Sequence, residues 1–201
     1  MKKLFSLLVI IMTATTLSYG QGYKVGDVAK DFSLLNVDGN FIGMESLQNT
    51  KGFIVVFTCN ACPYAKAYES RIIQLDKTYA SKGFPVVAIN SNDEKIQPED
   101  SYKNMQILAK AKGYPFPYLY DSSQEIASLY GATRTPHVFL LNKENGQLIV
   151  KYIGAIDDNS DDASKVKMKY VENAINQILT NQEVAIKETK AIGCGIKWKK
   201  Q

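Results

Sequence analysis

Phe53-Ile54-Val55-Val56-Phe57-Thr58-Cys59-Asn60-Ala61-Cys62-Pro63-Tyr64 is the stretch whose reading decides the fold. Its first five residues are continuously apolar, with three β-branched side chains. Such a run reads as a strand at the centre of a sheet covered on both faces. Downstream, Ala65, Tyr68, Ile72, Leu75 and Tyr79 recur at three- and four-residue spacing, which predicts a helix over Tyr64 to Tyr79. Two thiols three apart at a strand-to-helix junction can face the same way. One can attack a disulfide and the other can release the product. The attacking species is the thiolate, and the unpaired N–H groups and dipole at a helix start stabilise it. Position at the strand end gives attack to Cys59 and release to Cys62. Pro63 leaves two alternatives for the helix start. A helix from Asn60 would press the proline ring on the Cys59 carbonyl. A helix from near Cys62 would leave Cys59 outside the first turn, where the dipole helps it less.

Working outward, Phe32 to Leu35 and Phe41-Ile42 flank Asp38-Gly39, a turn pair that predicts a hairpin. Phe84 to Asn90 and Phe116 to Tyr120 read as further buried strands. Between them, Tyr102 to Lys112 reads as a helix stopped by Gly113. Ser123 to Tyr130 reads as a helix capped by Asp121 or Ser122. Val138 to Leu141 and Leu148 to Ile153 form a predicted closing hairpin, and Ala163 to Leu179 a long final helix. Alternating strands and helices with an antiparallel hairpin imply an α/β protein with a mixed central sheet.

The chain has 201 residues, is 45% hydrophobic and 22% charged, and carries a net charge of +4. That length fits one domain with appendages. Lys2-Lys3, the apolar run Leu4 to Met12 and the small residues of Ser18-Tyr19-Gly20 read as a signal peptide over 1–20, cleaved after Gly20. No cysteine follows that site, which argues against a lipid anchor, and no stable membrane anchor is expected after cleavage. Export implies a periplasmic or secreted protein. Its removal lowers the net charge by two, and the remaining lysines are dispersed, so no nucleic-acid partner is expected. The domain is expected over 21–181 and a tail over 182–201. Three cysteines cannot all pair within one chain, which fits a redox pair plus one extra thiol.

Thr135-Pro136, just before a predicted strand, is the second informative element. A cis bond there would offer the Thr135 backbone to an extended peptide as a sheet edge does. Taken with Phe57 to Tyr64 and Tyr130-Gly131-Ala132-Thr133-Arg134, it resembles the thioredoxin-like superfamily. The nearer likeness is the redoxin branch grouped with alkyl hydroperoxide reductase and thiol-specific antioxidant proteins. Val25-Gly26-Asp27, Asp31-Phe32-Ser33-Leu34 and Asp38-Gly39 resemble the N-terminal hairpin extension of that branch. The likeness spans roughly residues 23 to 180. It implies a thioredoxin-like fold, Cys59 as attacking and Cys62 as resolving thiol, and Pro136 as a cis proline with Thr135 beside it in the substrate site. The chain departs from both parent patterns. Thr58 and Asn60-Ala61 replace the Trp and Gly-Pro of typical thioredoxins, and Phe53 stands where their strand carries a buried acid. The peroxiredoxin pattern needs Thr or Ser three residues before its cysteine. Val56 and Cys59 occupy those positions, which counts against an efficient peroxidase.

The remaining candidates are weaker. His137, the only histidine, follows Pro136 and could relay protons near the thiols, though a strand histidine beside a turn is more often a packing or surface residue. Cys59, Cys62, Cys194 and His137 would make a zinc set, but a second close-spaced pair is missing. Asp157 to Asp162 starts like a calcium loop and lacks its glycine and its terminal Glu. No metal and no cofactor are therefore expected. Cys194 lies among Ile192, Gly193, Gly195, Ile196 and the only tryptophan, Trp198, so the tail is expected to dock and its thiol to join the exchange. The expected activity is thiol-disulfide exchange with protein disulfides or dithiols and with an electron-donor thiol-disulfide protein. The alternatives are a thiol peroxidase that passes through a sulfenic acid, and a non-enzymatic binding module. The direction of electron flow stays open.

Overall fold

The computed structural model describes residues 22–200. At its centre is the predicted strand β4 (Gly52–Phe57), all six residues buried. It pairs in parallel with β5 (Val86–Asn90) and antiparallel with β8 (His137–Glu144). Beyond β5 lie β6 (Tyr118–Tyr120), then β2 (Leu34–Asn36) and β3 (Phe41–Ile42). Beyond β8 lie β9 (Gln147–Gly154) and β1 (Val28–Ala29). The sheet is mixed, because β4, β5 and β6 run parallel and the flanking hairpins antiparallel.

Side chains along β4 alternate between two cores, as a strand's period of two requires. Ile54 and Val56 join Tyr68, Ile72 and Leu75 of helix α1 (Pro63–Tyr79) and Val171 and Ile175 of helix α4 (Tyr170–Leu179). Phe53, Val55 and Phe57 join Ala127 and Tyr130 of helix α3 (Glu125–Tyr130). Each such fully buried aliphatic or aromatic side chain contributes about 1.5–3 kcal/mol, so the apolar run anchors both layers at once. Helix α2 (Tyr102–Lys112) ends at Gly113, whose φ of 61° is the left-handed stop that glycine adopts at low cost. The Asp121 carboxylate accepts the N–H groups of Ala127 and Ile126, so it serves the start of α3.

One element differs from its sequence pattern. The final helix begins at Tyr170, not Ala163. The Asp158 carboxylate accepts the Lys167 N–H, and the Asp158 N–H donates to the Met168 carbonyl. Those bonds commit the backbone of 167–168 to a loop, leaving only a short 3₁₀ turn over Ala163–Lys165. Among the described residues, no helix is long and apolar enough to cross a membrane. The expected signal segment 1–20 lies outside the described residues.

Candidate active site

Strand β4 delivers the chain to Thr58, whose N–H still donates to Ile89 of β5. The loop Cys59 to Cys62 follows. Cys62 has extended dihedrals and is the N-cap of α1, with Pro63 in the first helical position. Proline is preorganised there and its missing N–H is no loss. Of the two alternatives for the helix start, the later one holds, and Cys62 rather than Cys59 stands at the helix terminus.

Asp100 holds this loop. It comes from a 3₁₀ turn (Pro98–Asp100) ahead of α2 and is fully buried. Its Oδ1 accepts the N–H groups of Asn60 at 2.7 Å and Ala61 at 2.9 Å, and its Oδ2 accepts the Asn92 amide at 2.6 Å. Asn60 is fixed in turn. Its Oδ1 accepts the Tyr118 hydroxyl and its Nδ2 donates to the Glu99 carbonyl. The buried carboxylate at this loop thus comes from outside β4, where Phe53 stands. No local pattern in the sequence marks Asp100 as the residue that holds the Cys59–Cys62 loop.

The cis peptide bond is Thr135-Pro136. Thr135 ends the short strand β7 (Arg134–Thr135) and touches both sulfurs of the loop. The Cys59 thiol donates to Thr135 Oγ1 at 3.3 Å, and Cys62 Sγ lies 3.3 Å from the Thr135 carbonyl oxygen. Both cysteines are buried, Cys59 6% and Cys62 4% exposed, so exposure does not separate them. Burial pushes the Cys59 thiol above its ordinary pKa, and the Asp100 charge pushes it further. The Thr135 hydroxyl and the Cys62 and Ala61 N–H groups oppose that rise.

Cys194 completes the cluster. It sits in strand β10 (Cys194–Gly195), which pairs antiparallel with β7 so that Cys194 stands opposite Thr135. Its Cα is 6.0 Å from that of Cys62, and the two sulfurs are bonded. Cys59 is left as a free thiol. Cys59, Cys62 and Ala65 form one buried group with Cys194 packed against it. The bonded pair is therefore Cys62 with Cys194, and the motif partner Cys59 waits beside it.

His137 follows the cis proline but turns to the other core. Its ring lies 4.7 Å from that of Phe139 and its Nδ1 accepts the Thr133 N–H. Burial lowers its pKa to about 4, so it is neutral at physiological pH. No hydrogen bond joins it to a sulfur. Among the described residues no group of His, Cys, Asp and Glu has the arrangement of a metal site.

A mixed sheet flanked by helices, with a Cys-x-x-Cys loop at the end of a central strand and a cis proline beside it, defines a thioredoxin-like fold. A thiol:disulfide interchange protein of the thioredoxin family from Chlorobium tepidum TLS shares that fold. Its TM-score is 0.57 at 21% identity, over 79% of this chain and 99% of that one. Within this class the chain belongs to the AhpC/TSA family, whose sequence profile matches residues 25–153. The crystal structure of an uncharacterized conserved protein from Geobacillus kaustophilus is similar with a TM-score of 0.82 and 37% identity, covering 90% of this chain and 95% of that one. The thiol-disulfide oxidoreductase ResA of Bacillus thuringiensis (strain Al Hakam) is 24% identical over 155 residues, which are 74% of this chain and 84% of the relative.

Proposed function

We propose that the chain is a thiol-disulfide oxidoreductase that acts on cysteines presented by proteins in extended segments, with Cys59 and Cys62 as the exchanging pair. The observation that carries this reading is the grouping of both sulfurs under the cis Thr135-Pro136 edge, which already accepts an antiparallel strand. Main-chain pairing along such an edge gives affinity with little demand on sequence, which suits exchange with unfolded or extended partners.

The order of the two thiols follows from their surroundings. The cysteine opposite Thr135 is bonded to Cys62, not to Cys59. This supports Cys62 as the sulfur that meets the substrate and Cys59 as the buried thiol that resolves the mixed disulfide, the reverse of the order expected from the motif. Trapping decides between the two orders. With Cys62 meeting the substrate, reduced Cys59→Ser attacks a disulfide-bearing protein substrate and accumulates the mixed disulfide, and reduced Cys62→Ser captures none. Capture by Cys62→Ser alone restores the motif order. Unchanged turnover of protein disulfides in both variants would refute the enzymatic reading.

Working as a reductant, the pair needs a dithiol donor protein to restore it after each cycle. We also read the protein as exported, on the basic start, short apolar run and small-residue site of 1–20. N-terminal sequencing of the protein from its native cell tests this, with Gln21 expected as the first residue.

A further inference from the structure

The exchange chemistry proposed above needs an edge open to a partner, yet in this structure the chain's own C-terminal segment lies on it. Three independent observations bear on what that segment is.

First, its backbone fits the edge closely. Gly193 lies against the Thr135-Pro136 peptide, where an added Cβ would stand 2.2 Å from the Thr135 carbonyl oxygen and 2.6 Å from its carbon. Only glycine permits that approach. Second, the residues after Cys194 are seated rather than trailing. Ile196 is buried in the core that holds Phe57 and Tyr130, and its N–H donates to the Thr133 carbonyl. The Lys197 N–H donates to Asn92 Oδ1. The Lys197 carbonyl accepts from Gln124 Nε2 and from the Asp93 N–H. Third, a free thiol stands next to the bond the segment makes, because Cys59 shares the buried group of Cys62 and Cys194.

We propose that residues 192–197 are a built-in substrate segment and that Cys194 is a third redox cysteine, whose disulfide with Cys62 is resolved by Cys59. The Cys59 thiolate attacks Cys62 Sγ. The Cys59–Cys62 bond forms as the Cys62–Cys194 bond breaks, and Cys194 leaves as a thiolate that takes up the proton Cys59 gave. Cys59 is oxidised, Cys194 is reduced and Cys62 keeps its oxidation state, so no outside oxidant or reductant takes part. In one form the segment is latched and the edge is closed. In the other the latch is a free thiol and the edge can be taken by a partner. The segment also describes that partner: an extended chain with glycine before its cysteine and an aliphatic residue two positions after it.

The test uses the full mature chain carrying one disulfide. The protein is held between about pH 6 and about pH 9, quenched in acid, alkylated and mapped by mass spectrometry. Trp198, the single tryptophan, reports segment release by fluorescence anisotropy. We expect the Cys62–Cys194 and Cys59–Cys62 forms to interconvert in the wild type, faster as pH rises. Cys59→Ser should hold only the first form. Gly193→Val keeps all three thiols but cannot seat the segment. It should move the ratio about tenfold or more toward Cys59–Cys62, raise the mobility of Trp198 and speed reduction of a model protein disulfide. A Cys62–Cys194 bond that never exchanges in the wild type, or an unchanged ratio in Gly193→Val, overturns the proposal. Cys194→Ser separates the two readings. If that variant still turns over protein disulfides, the exchange chemistry stands even where the segment proposal has failed; if it is inert, the exchange chemistry itself fails.

Discussion

Replacing Asp100 by Asn probes how the Cys59–Cys62 loop is held, and the cost follows from its contacts. The carboxylate accepts on both oxygens: two backbone N–H groups on Oδ1 and the Asn92 amide on Oδ2. An amide at position 100 can keep the first pair, but its NH₂ then faces the NH₂ of Asn92. Asn92 cannot turn its amide to relieve this, because its Oδ1 already accepts the Lys197 N–H at 2.8 Å. A buried donor without an acceptor costs about 1–3 kcal/mol. In a chain of this length 1 kcal/mol moves Tm by about 2–4 °C, so a loss of roughly 2–12 °C is expected in a thermal melt at neutral pH. Adding Asn92→Asp reverses the pattern. The new carboxylate accepts from both the amide at 100 and the Lys197 N–H, and most of the lost stability should return. A second readout follows the thiol. Burial is the larger cause of the raised Cys59 pKa and the Asp100 charge the next. In Asp100→Asn the alkylation rate of Cys59 in the reduced protein should therefore inflect at lower pH than in the wild type, though burial still holds it above the ordinary thiol. An unchanged Tm together with an unmoved inflection would refute the assignment of Asp100 as the group that positions the loop.

Tyr118→Phe removes the donor to buried Asn60 Oδ1 and should cost about 1–3 kcal/mol in urea unfolding, with the α/β fold retained. His137 contributes to acid sensitivity. Its folded pKa of about 4 lies below the ordinary 6.5, so the unfolded chain binds the proton first as pH falls. The contribution is complete above pH 6.5 and lost toward pH 4, amounting to about 3 kcal/mol. Unfolding at neutral and acid pH should show a smaller acid loss for His137→Phe than for the wild type. Reduction of the Cys62–Cys194 bond, which spans 132 residues of sequence, should cost about 2–4 kcal/mol and lower Tm by roughly 4–16 °C. Melts with and without reductant measure it.

What the sequence made legible was whatever depends on neighbours along the chain. The apolar run Phe53 to Phe57, the spacing from Ala65 to Tyr79 and the stop at Gly113 each report local geometry, and β4, α1 and α2 follow them closely. The last helix is shorter than its pattern from Ala163 to Leu179 because the Asp158 carboxylate and N–H claim the backbone of Lys167 and Met168. The site divides the same way. The Cys59–Cys62 loop and Thr135-Pro136 are local signatures. Asp100 reaches Asn60 across 40 residues and Cys194 reaches Cys62 across 132, and no periodicity encodes either meeting. Gly193 and Ile196 hinted that the tail is seated, but only the Thr135-Pro136 surface explains why the glycine is there.

Thr135 explains why three cysteines can share one site. Its hydroxyl accepts from Cys59, its carbonyl lies against Cys62, and its backbone stands opposite Cys194 in the β7–β10 pair. These are three different groups of one residue, so no cysteine displaces another by being held. The cis bond to Pro136 presents the carbonyl and the strand edge, while the side chain serves the buried thiol behind. The proposed exchange between Cys62–Cys194 and Cys59–Cys62 would then pass a bond among three sulfurs gathered at one residue. The hydroxyl bond to Cys59 opposes the rise in pKa that burial causes, so Thr135 also sets how readily the waiting thiol becomes a nucleophile. In the proposed exchange the same residue thus offers the edge on which the cysteine segment lies and a hydrogen bond to the thiol that resolves its disulfide.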